Sequence, residues 1–246
     1  MIMDLSANIV YKQISNEWAE YSSFIQGLVE RFSPKTVCDV GGGANPVLPY
    51  EFIAHRGIEY TLVDISAEEL TKAPSEYQKI VQDIEAASFP WKEEFDFLIT
   101  KMLAEHLHDG QRFHQNVFDL LKPGGIAVHY FPTLYALPFI VNKFVPEKLS
   151  SFLLDIFAPR ERTRLGKFPA HYDWCYGPTP KMLNMLTGIG FEIIKYRGLI
   201  GHTYFGRIPI IKEIHGAYTK FLVKHPSPYL TSFAQVILRK PVADRY

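Results

Sequence analysis

Short apolar runs alternate with amphipathic stretches of helical period along this chain. Ile14, Trp18, Tyr21, Phe24, Ile25, Leu28 and Val29 predict a helix over residues 14–31, and Ser33-Pro34 ends it. Thr36 to Val40 reads as a first strand. Pro46 to about His55 reads as a helix with proline in its first turn and Gly57 at its end. Residues 59–64 form a second strand. Ser66-Ala67-Glu68-Glu69 is a capping box that opens the next helix, and Pro74 stops it. Residues 78–82 make a short third strand. Phe95 to Thr100 is a fourth, apolar enough to be buried on both faces. A helix from Gly110 to Leu121 follows, with Asp109 as N-cap, and Pro123-Gly124-Gly125 breaks it. Ile126 to Phe131 is the fifth strand.

Strands that alternate with helices imply parallel pairing and a doubly wound sheet. After residue 131 the regularity fails. Residues 132–178 hold two helical pieces, one of them carrying Leu149, Phe152, Leu153, Ile156 and Phe157 at helical spacing. A basic run follows (Arg160, Arg162, Arg164, Lys167), then an aromatic loop to Trp174. Thr179-Pro180 starts another helix. Phe191 to Tyr196 is a sixth strand, residues 198–230 a second helical insertion, and Ser232 to Arg239 a last strand. With no regular crossover helix between them, the last two strands pair antiparallel. The expected fold is α/β: a doubly wound, Rossmann-like, seven-stranded sheet with an antiparallel last strand and helical insertions after strands five and six.

Composition narrows the function. The 246 residues carry 26 basic and 26 acidic side chains, so no long-range field favours nucleic acid. Hydrophobic residues make up 47%, enough for a large core, and a 14% aromatic content suits a roomy apolar site. Cys38 lies inside a strand and reads as a buried thiol, which points to a reducing, cytoplasmic setting. No basic-then-apolar leader opens the sequence, and no apolar stretch reaches membrane-spanning length.

The candidate chemistry gathers at Val37-Cys38-Asp39-Val40-Gly41-Gly42-Gly43-Ala44-Asn45-Pro46. A strand that ends in a Gly-rich turn is how open α/β sheets let a ligand approach the backbone. Asp64 ends the neighbouring strand, where a carboxylate can accept hydrogen bonds from both hydroxyls of a ribose. Asp83 follows the third strand and can face an adenine amino group. The dinucleotide fingerprint G-x-G-x-x-G is not met, because Pro46 occupies its sixth position.

These residues, with Gln82-Asp83-Ile84, Phe95-Asp96, Glu105-His106-Leu107 and Leu120-Leu121-Lys122-Pro123-Gly124-Gly125, resemble class I S-adenosylmethionine-dependent methyltransferases. The resemblance covers about residues 35–131, 190–197 and 232–240. Asn45 departs from it, standing where many members have a glycine. Lys167-Phe168-Pro169 and Tyr172 also look like methyltransferases of bacterial natural-product or surface-polysaccharide pathways. The resemblance implies one methyltransferase domain over 1–246. It would comprise an N-terminal helical cap (1–34), a cofactor-binding core (35–131) and substrate-side insertions (132–178 and 198–230). It implies S-adenosyl-L-methionine as donor and S-adenosyl-L-homocysteine as product. Asp39 would receive the methionine amino group, Gly41 and Gly43 would admit the cofactor to the backbone, and Asp64 would take the ribose. Asp83 and Ile84 would flank the adenine, and the backbone of Lys101 and Met102 would line the methionine. Asn45 and Ile65 complete the implied cofactor set.

Methyl transfer from a sulfonium needs alignment in a dry pocket more than it needs a base. An acceptor that holds its proton tightly, such as a hydroxyl, does need one. His106, His129, His171 and Tyr172 are the candidate catalytic groups, with Asp173 beside them. Glu105, His106, His108, Asp109 and His114 look like a metal cluster, but His106 and His108 would diverge on a helix and His108 and Asp109 are better read as solvated or capping, so no metal is expected. The expected partner is a small, partly hydrophobic molecule of a biosynthetic pathway, with the protein a monomer or homodimer. The apolar helices of the insertions can cover that substrate, touch a membrane surface peripherally, form a dimer, or simply pack. Three other readings of the chain stay open. The first is a methyltransferase that acts on a protein, the second a non-catalytic partner protein on the same fold, and the third a nicotinamide-dependent oxidoreductase.

Overall fold

The computed structural model describes residues 8–87, 89, 91–134, 169–202 and 209–242. The expected helical pieces at 134–157 and the basic run at 160–167 therefore lie outside the described residues.

Eight strands form one sheet. They are β1 (Ile9–Gln13), β2 (Thr36–Val40), β3 (Glu59–Asp64), β4 (Gln78–Val81), β5 (Phe95–Lys101), β6 (Leu121–Pro132), β7 (Glu192–Ile200) and β8 (Phe233–Arg239). Their order is β1-β7-β8-β6-β5-β2-β3-β4. The ladders from β4 to β6 are all parallel, while β8 runs antiparallel to both β6 and β7. The chain leaves β2 toward β3 and β4, then returns to β5 on the other side. The ends of β2 and β5 therefore flank the topological switch point, where a crevice opens in such sheets. The inner strands earn their place through apolar runs: Val37, Cys38, Phe97, Leu98, Ile99, Ala127 and Val128 are wholly enclosed.

The helices are α1 (Tyr21–Phe32), α2 (Tyr50–Arg56), α3 (Ala67–Lys72), α4 (Gly110–Leu120), α5 (Pro180–Ile189) and α6 (Pro209–Lys224). Several expected caps are present. Ser66 accepts the amide of Glu69, Asp109 that of Arg112, and Thr179 that of Met182. Gly57 and Gly190 end α2 and α5 in the left-handed region. Alternation along β6 sends neighbouring side chains to opposite faces of the sheet. Tyr130 stacks on Tyr21 of α1 at 5.3 Å, whereas His129 meets Phe113 and His114 of α4. Cys38 and Cys175 are buried free thiols.

Five boundaries differ from expectation, one being that β7 runs on to Ile200, into the expected second insertion, because its ladders to β1 and β8 continue there. The sheet has an eighth strand, because Ile9 to Gln13 pairs in parallel with β7 and Ile14 extends that ladder to Ile200. The first helix consequently starts at Tyr21, after a turn in which Glu17 accepts the amide of Ser15 and pairs with Lys12. Pro46 does not start α2, since residues 46–49 are held in a bent, non-helical path by hydrogen bonds from Val47 to Asp39 and from Tyr77 to Leu48. β6 begins at Leu121 rather than after the glycines, because Leu121 already pairs with Phe95 and a bulge absorbs the break.

His114 and His129 are buried, with ring centroids 5.2 Å apart, and burial pushes both below the usual histidine range. Thr100 Oγ1 lies 2.9 Å from His129 Nδ1. The unfolded chain takes up protons near pH 6.5 that the folded chain refuses. The stability these groups contribute is present above that pH and is lost as pH falls. Thermal melts from pH 7 to pH 5 should show His114→Phe losing less melting temperature than the wild type. An equal loss in both proteins would remove the histidine contribution.

Candidate active site

Gly41 donates its amide to Val63, 2.7 Å away, carrying the β2–β3 ladder one residue past the strand. Gly41 (φ 75°) and Gly43 (φ 45°) then reverse the chain through left-handed backbone, and the Asn45 amide closes on Gly42. Asp39 lies beneath this turn, 1% exposed. Its Oδ2 accepts the Tyr60 hydroxyl at 2.5 Å and the Val47 amide at 2.8 Å. Its Oδ1 is enclosed and has no protein partner among the described residues. Burial raises Asp39 to about 6, although Tyr60, Val47 and the charge of Lys101 pull it back. A Cβ on Gly42 would stand 2.9 Å from the Asp39 carboxyl carbon and 3.0 Å from Leu62.

Asp64 ends β3, half-buried, with Oδ1 accepting the Ser66 amide at 2.8 Å. Burial raises its pKa. A Cβ on Gly43 would come within 3.1 Å of its other oxygen. The Gln82 amide bonds to the Asp64 carbonyl, which brings Asp83 to the same rim. Asp83 caps its own turn by accepting the Glu85 amide. Ile84 is buried and Ile65 is 66% exposed.

Across the switch point, Met102 adopts φ 55° and donates its amide to Tyr130 at 2.7 Å. The Lys101 ammonium lies 4.2 Å over the Trp18 ring and 5.5 Å from that of Tyr21. Burial lowers its pKa against the pull of Asp39. The segment just before α1 thus reaches the end of β5.

A strap over residues 169–176 crosses beside the end of β5. The His171 and Tyr172 amides both donate to the Glu105 carbonyl, at 2.7 and 3.1 Å. Asp173 accepts the Gly110 amide, and Leu134 donates to the Cys175 carbonyl. His106 Nδ1 lies 2.9 Å from the Pro169 carbonyl. A carbonyl only accepts, so Nδ1 carries the proton and Nε2 is the basic nitrogen. That nitrogen is 3.7 Å from Glu105 Oε1. Glu105 itself is 4% exposed, its Oε2 has no hydrogen-bond partner among the described residues, and burial raises it to about 8. It is therefore a neutral acid at pH 7, and its approach to His106 is not an ion pair there.

His106, His171 and Tyr172 thus come together along the strap. His129 packs instead on Phe113 and His114 of α4 and is linked to the strap through His114, whose ring faces Trp174 at 5.6 Å. Glu105 was visible in the sequence only as part of a motif. Nothing local signalled its burial, because the strap bound to its backbone comes from residues 169–176. Among the described residues no group of three or more ligating side chains is arranged to hold a metal.

Two outcomes follow from this geometry. Gly42→Ala forces its methyl against the Asp39 carboxyl and Leu62, and should cost about 1–3 kcal/mol in denaturant unfolding. A neutral result would mean that the turn gives way freely. Glu105 is raised in the folded state, so folding takes up a proton between pH 4.5 and 8, and stability falls as pH rises through that window. Glu105→Gln should flatten that fall and melt above the wild type at pH 8. A variant that melts lower at every pH would contradict the neutral acid.

A methyltransferase-domain family model matches residues 13–196 of this chain. No match was found among curated proteins. An S-adenosylmethionine-dependent methyltransferase from Archaeoglobus fulgidus shares the fold at 15% identity and a TM-score of 0.54, covering 91% of this chain and 98% of its own. One from Mesorhizobium loti does so at 18% identity and 0.53, covering 90% and 97%. Phosphoethanolamine N-methyltransferase 2 from Haemonchus contortus, in complex with S-adenosyl-L-methionine, matches at 14% identity and 0.51, covering 89% and 52%. With the family match spanning well over half its length, the chain belongs to the methyltransferase-domain family and is a class I S-adenosylmethionine-dependent methyltransferase.

Proposed function

We propose that this enzyme methylates a small, partly hydrophobic acceptor of a biosynthetic pathway, held between the Gly-rich turn and the strap. The observation that carries the reading is the buried, unpartnered Oδ1 of Asp39 under a turn whose glycines leave no room for side chains. A ligand bearing an ammonium group fits that environment. S-adenosylmethionine supplies an activated methyl group on a sulfonium when bound. Asp39 then holds the methionine amino group, directly or through water. Gly41, Gly43 and Asn45 present backbone to the cofactor, and Asp64 accepts the ribose hydroxyls. Ile65, Asp83 and Ile84 border the adenine, and Lys101 and Met102 line the methionine.

The acceptor side follows from the strap and the aromatic wall. Trp18, 55% exposed and backed by the buried rings of Tyr21 and Tyr130, supplies apolar surface beside the end of β5, which suits a hydrophobic ring or chain better than a polyanion. Zero net charge agrees with a small acceptor rather than nucleic acid. His106 is the favoured base for a hydroxyl acceptor, since its Nδ1 faces the Pro169 carbonyl and Nε2 is then the nitrogen that can take a proton. His171 and Tyr172 shape the site, and buried His129 supports the sheet. The segments 132–178 and 198–230 serve the acceptor side of a single catalytic unit, monomeric or dimeric, working in the cytoplasm.

Isothermal titration with S-adenosylmethionine tests the cofactor assignment. The wild type should bind, and Asp64→Ala should bind at least about tenfold more weakly, the loss of about 1.4 kcal/mol expected for a removed charge-assisted hydrogen bond. Unchanged affinity in Asp64→Ala would overturn the ribose assignment.

A further inference from the structure

Helix α6 carries apolar residues on the wrong side. Thr219 and Leu222 face the protein, 3% and 4% exposed, and the Cβ position of Gly201 lies 3.0 Å from Thr219. The opposite face should be polar on a helix packed this way. Instead Ile214, Tyr218 and Phe221 stand out in solvent, 65%, 48% and 57% exposed. Their spacing of four and three residues aligns them in one stripe along the outward face. The polar positions of the helix carry three exposed lysines, Lys212, Lys220 and Lys224, against one glutamate, Glu213. The chain as a whole is neutral, so this is a local excess of positive charge.

We infer that the outward face of α6 docks the enzyme on an anionic lipid bilayer. The stripe is a convex ridge on a helix surface. A bilayer accepts such a ridge without a complementary groove, taking up an isoleucine and two aromatic rings at headgroup depth while the lysines meet lipid phosphates. Tyrosine suits that depth, since its ring is apolar and its hydroxyl stays wet. A second copy of the chain is disfavoured, because pairing this face with itself across a two-fold axis brings lysines against lysines with one glutamate on each side to offset them. No helix among the described residues is long and apolar enough to cross a membrane, so the contact lies in the interface plane. Docking there would let the enzyme meet amphiphilic acceptors at their source, which extends the proposed acceptor class without depending on it.

Co-sedimentation with vesicles tests the inference on the full chain. Vesicles of phosphatidylcholine alone are compared with vesicles of phosphatidylcholine mixed with phosphatidylglycerol, at low and high salt. Expected is binding to the anionic vesicles only, weakening as salt rises. Ile214→Glu/Phe221→Glu should abolish it. Lys220→Glu/Lys224→Glu should weaken it by at least about fivefold for each lysine replaced. All four positions face outward, so melting temperatures should stay near that of the wild type. If the apolar variant misfolds, the lysine variant still decides. Absence of wild-type binding at low salt, or equal binding by a folded variant, overturns the inference. So does a concentration-dependent dimer in sedimentation velocity that Ile214→Glu/Phe221→Glu dissociates, since the face would then be a self-interface.

Discussion

One buried carboxylate ties the site to the sheet. Asp39 sits at the end of β2 in a wholly enclosed position, where an isolated charge is costly. Tyr60 of β3 and the Val47 amide offset that cost in part. In doing so they fix the path of residues 41–48, with Tyr77 taking the Leu48 carbonyl from the same side. The remaining oxygen has no partner among the described residues, and burial raises the acid to about 6. A group that is stabilised on one oxygen and bare on the other favours a cationic ligand, which is what a methionine ammonium supplies. The Gly-rich turn is therefore shaped as much by what lies beneath it as by the freedom of its glycines.

The rest of the crevice depends on the same switch point. β2 and β5 run side by side, so the turn after one and Lys101-Met102 after the other face each other. The strap adds a third wall. It is held by backbone amides on the Glu105 carbonyl rather than by side-chain packing alone. Glu105 resembles Asp39 in being an enclosed carboxyl with one oxygen unmatched among the described residues, but only its own backbone amide opposes the effect of burial, which raises it further. Burial raises both acids, and Glu105 the further, because Asp39 has the Tyr60 hydroxyl and the Val47 amide to oppose it.

Much of this was legible in the chain. Short apolar runs located the inner strands and period-3.6 patterns most helices, because a strand buried on both faces must be a continuous apolar run. Ser66, Asp109, Thr179, Gly57 and Gly190 marked helix ends through hydrogen-bonding and φ requirements that act within four residues. Asp64 and Asp83 stood out as carboxylates at strand ends. Strand β1 did not stand out. Five residues of mixed polarity become a strand only because β7 presents an unpaired edge to them.

What the sequence determined by itself was local: periodicity, caps, the Gly-rich turn and the order of the elements, and with them the family. Tertiary structure decided everything that rests on contacts between distant residues. It placed Pro46 outside α2 by way of Asp39, and it set His129 against α4 by the alternation that aims Tyr130 at Tyr21. It also buried Glu105 under a strap from more than sixty residues onward, and left an apolar stripe of α6 facing water. Burial is a property of the whole assembly, so the charge state of a carboxyl and the exposure of an isoleucine cannot be read from neighbours in the chain.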